Sequence, residues 1–288
     1  MTYTLETLIE GGAFFEGPRW NDGRWYVSDF FEHHVLAVSS DGDTEVVAEV
    51  PGQPSGLGWL PDGSLLIVSM NDKRLLKRSP DGTLSEHADL SSVFPGKAND
   101  MVVDDQGRAY VGNFGFAELD PVNPILPPTV VALVTADGAI SVAADDLYFP
   151  NGSVVTADGS TLIVGEAMAG RYTAFTIQPD GTLTDRRVWA QFDQTVVGGP
   201  DGCTLDAENH IWMADPLGGP LRRAAPGGAI VDQITPPEGL TIFACALGGD
   251  DGKTLLMCAA GASAFDGTER GTAMLLTTRV TVPHAGRP

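Results

Sequence analysis

Short apolar runs separated by polar turns recur along the whole chain. Each run has about four to six residues, is enriched in β-branched and aromatic side chains, and is typical of a β-strand. An apolar run, a turn and a second apolar run form a hairpin pattern that occurs in six copies, at residues 16–29, 55–70, 99–113, 151–166, 201–215 and 243–259. Signals for helices are nearly absent, so the pattern predicts an all-β protein built from an internal repeat.

The spacing of the copies predicts the architecture. Consecutive copies start 39 to 52 residues apart, which suits a four-stranded unit better than a helical repeat. A second glycine-containing turn follows each of the first five copies, at residues 39–43, 79–83, 135–139, 178–182 and 225–229. Four antiparallel strands repeated six times predict a six-bladed β-propeller. We expect its Asp-Gly turns to adopt the type I′ geometry that joins twisted strands.

The two ends of the chain fit one blade. The last copy continues through a further apolar run at 271–282, whereas the segment 2–10 precedes the first copy and has no hairpin of its own. We expect this N-terminal strand to complete the last blade, so that residues 1–288 form one propeller domain. A proline-rich stretch at 114–129 interrupts the third repeat and is expected to be a surface loop or a lid over the channel.

Charge and composition disfavour several classes of partner. The formal net charge is −21, from 38 acidic and 17 basic residues, and such a surface repels nucleic acid and anionic membranes. The first residues lack the pattern of a secretory leader and no apolar run reaches the length of a membrane helix, which predicts a cytoplasmic protein. Three cysteines in apolar segments are expected to be buried free thiols: Cys203, Cys245 and Cys258.

The first residue of each copy is predicted to face the central channel. The innermost strands of all blades line this channel, so equivalent positions become neighbours in space. These positions, the ring residues, are Glu16, Ser55, Asn99, Asn151, Asp201 and Phe243. Taken singly, Asn, Asp and Ser at a strand start are common turn-formers. Five coincident side-chain oxygens, with a glutamate among them, favour a polar site instead.

The ring predicts one bound divalent cation. Two carboxylates converging in a tunnel would repel one another and remain poorly solvated unless a cation lay among them. Carboxylate and amide oxygens select a hard cation, and Ca²⁺ is favoured because its flexible coordination tolerates ligands from separate blades. Mg²⁺ and Mn²⁺ are alternatives, and Zn²⁺ is a weaker one because no histidine occupies a ring position.

Four segments of the sequence resemble a known family. The segments are EGPRW (16–20), NDMVVDDQGRAYVGN (99–113), FPNGSVVTADGSTLIV (149–164) and PDGCTLDAENHIWMA (200–214). They are similar to the characteristic segments of the senescence marker protein (regucalcin), gluconolactonase and luciferin-regenerating-enzyme family, and they occur in family order across nearly the whole chain. The resemblance implies a six-bladed propeller that binds one divalent cation, often calcium, in its channel.

The resemblance also implies roles for individual residues. The metal ligands of the family fall on Glu16, Asn151 and Asp201, and the same aspartate is the family's proposed general base. The substrate-side asparagine falls on Asn99. Sugar lactonases of the family carry an arginine where this chain has Lys97. A lysine ammonium is a point charge and lacks the planar guanidinium with which an arginine forms two parallel hydrogen bonds. This departure weakens the expectation of a sugar lactone as substrate.

Two further residues complete the candidate substrate site, and the predicted activity follows from the whole set. Glu118 in the 114–129 stretch can take the place of an acidic substrate contact, and Ser55 contributes a hydroxyl. The predicted reaction is hydrolysis of a lactone or related ester, with Asp201 accepting the water proton or attacking directly while Asn99 and Lys97 orient a small-molecule substrate. Alternatives are phosphotriester hydrolysis, a cation-dependent lyase or cyclase reaction, and non-catalytic binding of calcium or another ligand.

Overall fold

A computed structural model describes residues 3–116 and 127–286, and its regular structure is almost entirely β-strand. The strands are β1 (Glu6–Gly12), β2 (Phe15–Asn21), β3 (Arg24–Asp29), β4 (His34–Val38), β5 (Thr44–Glu49), β6 (Pro54–Trp59), β7 (Leu65–Ser69), β8 (Arg74–Arg78), β9 (Leu84–Asp89), β10 (Ala98–Val103), β11 (Ala109–Asn113), β12 (Thr129–Val134), β13 (Ile140–Leu147), β14 (Pro150–Val155), β15 (Thr161–Glu166), β16 (Arg171–Ile177), β17 (Leu183–Gln191), β18 (Cys203–Leu205), β19 (Ile211–Met213), β20 (Leu221–Ala224), β21 (Ile230–Ile234), β22 (Leu240–Gly248), β23 (Thr254–Gly261) and β24 (Ala273–Arg279). The described helical residues form two single 3₁₀ turns, Ala167–Ala169 and Ala264–Asp266. In this part of the chain no helix is long and apolar enough to cross a membrane.

The strands form six sheets of four antiparallel strands, which are the blades of a propeller. Five blades are consecutive runs of four strands, β2 to β5, β6 to β9, β10 to β13, β14 to β17 and β18 to β21. The first strand of each blade contacts the first strands of the two adjacent blades, so β2, β6, β10, β14, β18 and β22 surround the central channel. The predicted fold class is confirmed.

The last blade combines the two ends of the chain. Its strand order is β22-β23-β24-β1, so β1 is the outermost strand of a blade whose other strands come from the C-terminal part. Thr7 lies opposite Leu276 and Glu10 lies opposite Met274. This pairing confirms that the N-terminal strand closes the ring.

The Asp-Gly turns follow the expected geometry only in part. Asp22 and Gly23 both have positive φ, 47° and 75°, and form the expected two-residue type I′ turn between β2 and β3. In the turn at Asp62 and Gly63 only the glycine is left-handed, and the Asp62 carboxylate accepts the backbone N–H of Ser64 at 2.9 Å. The type I′ expectation is wrong there, because the aspartate serves the turn from an ordinary backbone conformation and the glycine supplies the positive φ alone.

Apolar side chains fill the space between adjacent blades. The cluster at the closing point joins Phe14 of the first blade to Leu256 of the last blade. The three thiols are buried and free, as predicted: Cys203, Cys245 and Cys258. The interior is therefore held together without a disulfide among these residues.

Deletion of residues 1–10 is expected to lower the stability of the closed propeller. The last blade would lose its outermost strand together with Leu5, Leu8 and Ile9, which are partly buried against neighbouring clusters. At about 1 kcal/mol for each partly buried side chain, the calorimetric midpoint of unfolding should fall by about 6–10 °C. Glu10→Ala, at an exposed position of the same strand, should keep the midpoint within about 2 °C. An unchanged midpoint in the deletion variant would show that β1 does not stabilise the closed propeller.

Candidate active site

The ring residues are buried at one end of the channel. Most of them occupy the second position of an innermost strand, whereas Asp201 lies two residues before β18. The exposed fractions are 8% for Glu16, 2% for Ser55, 6% for Asn99, 9% for Asn151, 7% for Asp201 and 3% for Phe243. Five polar side chains with so little exposure need partners, either from the protein or from a ligand.

Glycines bring the innermost strands together at the level of the ring. Glycine follows four of the ring residues, as Gly17, Gly56, Gly152 and Gly202. A Cβ at Gly152 would lie 2.3 Å from the Asp201 carbonyl oxygen, and one at Gly56 would lie 2.4 Å from the backbone nitrogen of Met101. No side chain fits at such distances, so the missing Cβ atoms allow the strands to approach. The ring side chains consequently converge in a narrow space.

Glu16, Asn151 and Asp201 come from three different blades and form one buried group. The side-chain amide of Asn151 donates a hydrogen bond to Asp201 Oδ1. The Glu16 carboxylate accepts the backbone N–H of Gly17 at 2.7 Å, and the charge of Asp201 acts on it. The structure therefore brings together the three residues that the family resemblance implies as metal ligands.

Burial perturbs the acidity of both carboxylates. Loss of hydration raises the pKa of Glu16 well above its ordinary value of 4.5, and the negative charges of Asp201 and Asp100 raise it further. Loss of hydration also raises the pKa of Asp201 from 3.8 to about 8, with a contribution from the charge of Asp100, while the hydrogen bond from Asn151 opposes the rise. Without a cation, burial therefore favours the protonated, uncharged form of both carboxyl groups.

A buried ion pair beside the ring was not predicted from the sequence. Asp100 Oδ1 lies 3.0 Å from Arg19 Nη2, and the two side chains are only 6% and 8% exposed. Arg19 also donates to the Met101 carbonyl at 2.6 Å, and Asp100 accepts the Met101 N–H at 2.8 Å. The sequence repeat does mark this position. Asp100 directly follows a ring residue, and in four other copies the residue directly after the ring residue is glycine. The absent side chain of Gly56 leaves space for its carboxylate.

The predicted substrate residues lie in different environments. The Nδ2 atom of Asn99 is buried without a hydrogen-bond partner among the described residues, so this amide can meet a ligand. Ser55 is buried, and its carbonyl accepts the hydroxyl of Ser28 at 2.6 Å. Lys97 is partly exposed and lies two residues before Asn99. Glu118 lies outside the described residues.

The opposite end of the channel is covered by the C-terminal segment. The Ala285 N–H donates to the Leu205 carbonyl at 3.0 Å, and the Ala207 N–H donates to the Pro283 carbonyl at 2.8 Å. Between this segment and the innermost strands, a cavity lined by Arg19 and Ala285, among others, has a volume of only about 20 Å³. The C-terminal segment therefore leaves little free space beside Arg19 at this end of the channel.

The donor set of the ring fits a hard cation. Oxygen atoms from two carboxylates and an amide are ligands that Ca²⁺ accepts, and the raised pKa values of Glu16 and Asp201 indicate negative charge without full compensation. Over residues 3–116 and 127–286, no group of three or more His, Cys, Asp and Glu side chains has a geometry that holds a metal ion. A cation at the ring would therefore depend on the amide of Asn151 as a ligand.

The raised pKa of Asp201 predicts that the cation-free protein loses stability as the pH rises. A carboxyl group with a folded-state pKa of about 8 and an ordinary value of 3.8 binds more protons in the folded state, so the free energy of unfolding declines between these pH values and levels off above them. Thermal unfolding in chelator from pH 5 to 9 should show this decline. Asp201→Asn should make the decline shallower, with a remainder from the raised pKa of Glu16, and an equal slope in that variant would contradict the assignment.

Known proteins resemble this chain over most of its length. A family model described as "SMP-30/Gluconolactonase/LRE-like region" matches residues 14–261. The relatives include "Pentonolactonase XacC" of Haloferax volcanii, 27% identical over 95% of this chain and 92% of that protein. They also include the "Gluconolactonase" of Zymomonas mobilis, 23% identical over 73% of this chain and 61% of that protein.

Solved structures share the fold. A luciferin-regenerating enzyme has a TM-score of 0.83 at 16% identity, covering 98% of this chain and 97% of that one. Regucalcin of Agrobacterium tumefaciens, described as a calcium-binding protein, has a TM-score of 0.81 at 22% identity, covering 100% of this chain and 97% of that one. These likenesses concern the propeller, whereas the family model spans most of the sequence. The chain belongs to the SMP-30/gluconolactonase/LRE-like family.

Proposed function

We propose that this protein hydrolyses a lactone with the help of one divalent cation, for which Ca²⁺ is favoured. The observation that carries the proposal is the convergence of Glu16, Asn151 and Asp201 in one buried group. The relatives named pentonolactonase and gluconolactonase support a lactonase-type hydrolase and a small-molecule lactone as substrate. The description of regucalcin as calcium-binding supports the choice of metal.

Glu16, Asn151 and Asp201 are proposed to hold the cation. When bound, a divalent cation supplies a Lewis acid that polarises the lactone carbonyl, stabilises the tetrahedral oxyanion and lowers the pKa of a water molecule. The two carboxylates release their protons on binding, since the positive charge compensates their buried negative charge. Cation affinity should therefore rise with pH over the range in which Asp201 loses its proton.

Asp201 is proposed to accept the proton of the attacking water. Its backbone N–H donates to the Ala214 carbonyl at 3.1 Å, and its side chain accepts from Asn151, so the carboxylate has a fixed position. Burial and the charge of Asp100 raise its pKa and make it a stronger base, whereas a bound cation lowers its pKa. The buried Asp100 thereby opposes the weakening of the base by the metal.

Asn99 and Lys97 are proposed to orient the substrate, with Ser55 and Glu118 as further contacts. The unpartnered amide of Asn99 lies within the ring and can donate to an oxygen of the lactone. The ammonium group of Lys97 can attract the carboxylate that forms when the lactone is hydrolysed. Lys97 precedes Asn99 by two residues and is more exposed to solvent than Asn99. These contacts fix the carbonyl carbon relative to Asp201.

Removal of divalent cations is expected to abolish lactone hydrolysis, and added Ca²⁺ should restore it. Glu16→Gln and Asp201→Asn each remove a ligand charge and should lower kcat/KM by about 100-fold or more. Titration calorimetry should show weaker Ca²⁺ binding in both variants. Asp22→Asn makes the same chemical change at an exposed turn, where asparagine tolerates the positive φ, and should retain wild-type activity.

The substrate panel for this experiment contains glucono-δ-lactone, a pentonolactone, simple lactones and phosphotriesters. Hydrolysis that persists after complete removal of divalent cations would contradict the mechanism. Unchanged Ca²⁺ affinity in both ligand variants would contradict the ligand assignment. Turnover of phosphotriesters without turnover of any lactone would assign the other hydrolytic activity to this site.

Asn99→Ala is expected to separate activity from stability. Loss of the amide should lower kcat/KM for the lactone by about 10- to 100-fold, since a hydrogen bond to the substrate disappears. The unfolding midpoint should stay constant or rise slightly, because a buried amide without a partner is removed. Steady-state kinetics and calorimetry on the same samples test both parts, with Asn71→Ala at an exposed position as the control. Lower stability with full activity would assign Asn99 a purely structural role.

A further inference from the structure

Three phenylalanines form an aromatic surface at the ring end of the channel, between the third and fourth blades. The rings of Phe114 and Phe149 stack with centroids 4.7 Å apart, and the Phe116 ring lies 6.1 Å and 6.0 Å from them. All three side chains remain partly exposed. We call this surface the phenylalanine wall.

The phenylalanine wall is continuous with the proposed substrate residues. The Phe114 N–H donates to the Lys97 carbonyl at 2.9 Å, and Lys97 precedes Asn99 by two residues. On the other blade, Phe149 precedes Asn151 by two residues. The wall therefore adjoins the ring on the side of the unpartnered Asn99 amide.

Phe149 is held in a conformation that aromatic residues rarely adopt. Its φ is 55°, in the left-handed region where Cβ crowds the backbone. Its carbonyl accepts the Ala167 N–H at 3.1 Å, and its ring stacks on Phe114, so contacts on both sides maintain the strained backbone. Gln53 adopts a similar φ of 68° two residues before Ser55, so the backbone conformation recurs in the repeat, and the aromatic side chain is what distinguishes position 149.

The opposite side of the ring is also apolar. Phe243 occupies the sixth ring position and packs against Phe14 with centroids 4.8 Å apart. The Phe243 ring belongs to the buried cluster at the closing point, so this ring position brings no polar group to the site. The rings of the phenylalanine wall offer neither a hydrogen-bond donor nor a conventional acceptor, so they favour contact with an apolar group over contact with a hydroxyl.

We infer that the substrate is a lactone carrying an aryl or alkyl substituent, and that the phenylalanine wall binds this substituent while the ring residues act on the lactone carbonyl. Stacking or apolar contact with Phe114, Phe116 and Phe149 would remove the substituent from water. The inference rests on the proposed lactone hydrolysis and specifies the class of lactone. The inference also explains why a lysine is found at position 97, since an apolar substituent does not need the paired hydrogen bonds of an arginine guanidinium.

The test compares γ-phenyl-γ-butyrolactone with unsubstituted γ-butyrolactone and glucono-δ-lactone in the Ca²⁺-loaded protein. The wild type should favour the phenyl lactone over both others by about tenfold or more in kcat/KM. Phe116→Ala and Phe149→Asn should lose this preference through a higher KM for the phenyl lactone alone. Asparagine is chosen at position 149 because it tolerates positive φ. Trp59→Ala removes a partly buried aromatic residue at the far end of β6 and should keep the preference.

A second measurement reports binding without turnover. In saturation-transfer NMR, the phenyl protons of γ-phenyl-γ-butyrolactone should receive magnetisation from the wild type and much less from Phe116→Ala. Transfer that depends on the wall without hydrolysis of any lactone would support the wall and contradict the proposed function. Hydrolysis with equal preference in all variants, or a wild-type preference for glucono-δ-lactone, would overturn the wall and leave the proposed function standing.

Discussion

The burial of acidic side chains in the channel is the constraint on which the rest of the structure and the proposed chemistry depend. Glu16, Asp100 and Asp201 come from the first, third and fifth blades and lose most of their hydration at one level of the channel. Arg19 compensates Asp100 by direct contact, whereas burial raises the pKa of Glu16 and Asp201. The acids cannot move apart, because each is fixed by its strand or by backbone hydrogen bonds to the next strand. Bound protons or a bound cation must therefore compensate the charge of Glu16 and Asp201, which have no such partner among the described residues.

The scaffold that imposes this constraint is a consequence of small residues at one level of the repeat. Glycine after Glu16, Asn151 and Asp201 lets neighbouring strands approach to distances at which no Cβ would fit. The crowding has two effects: it narrows the channel, and it leaves the polar side chains of the ring residues almost without exposure to solvent. The ordering of the blades and the raised pKa values of the acids thus share one structural cause, since the packing that orders the blades also removes water from the carboxyl groups.

Much of the fold could be predicted from the sequence, because period and turn chemistry are local properties. The spacing of apolar runs predicts the six hairpins, the four strands of each blade and the closing of the propeller by β1. The positions of Glu16, Asn151 and Asp201 in one group also followed from the register of the repeat. The turn type at Asp62 could not be predicted from the sequence. It depends on whether the aspartate contributes a side-chain hydrogen bond or a left-handed backbone conformation to the turn.

The rest of the site depends on contacts that no local pattern encodes. Arg19 and Asp100 are 81 residues apart in sequence, and only the departure from glycine after Asn99 marks their position. The stacking of Phe149 on Phe114 likewise joins two blades, and a phenylalanine with a positive φ gives no signal in the sequence. Contacts between equivalent positions of the repeat, such as Asn151 with Asp201, were therefore predictable, whereas contacts between non-equivalent positions of different blades became visible only in three dimensions.

The pairing of the first strand with the last also governs how the protein is made. Thr7 is translated about 270 residues before its partner Leu276, which corresponds to about half a minute at ordinary translation rates. Until β24 has been made, β1 has no strand to pair with, and the last blade cannot be completed. Closure of the propeller is therefore a late step of folding, whichever blades form first.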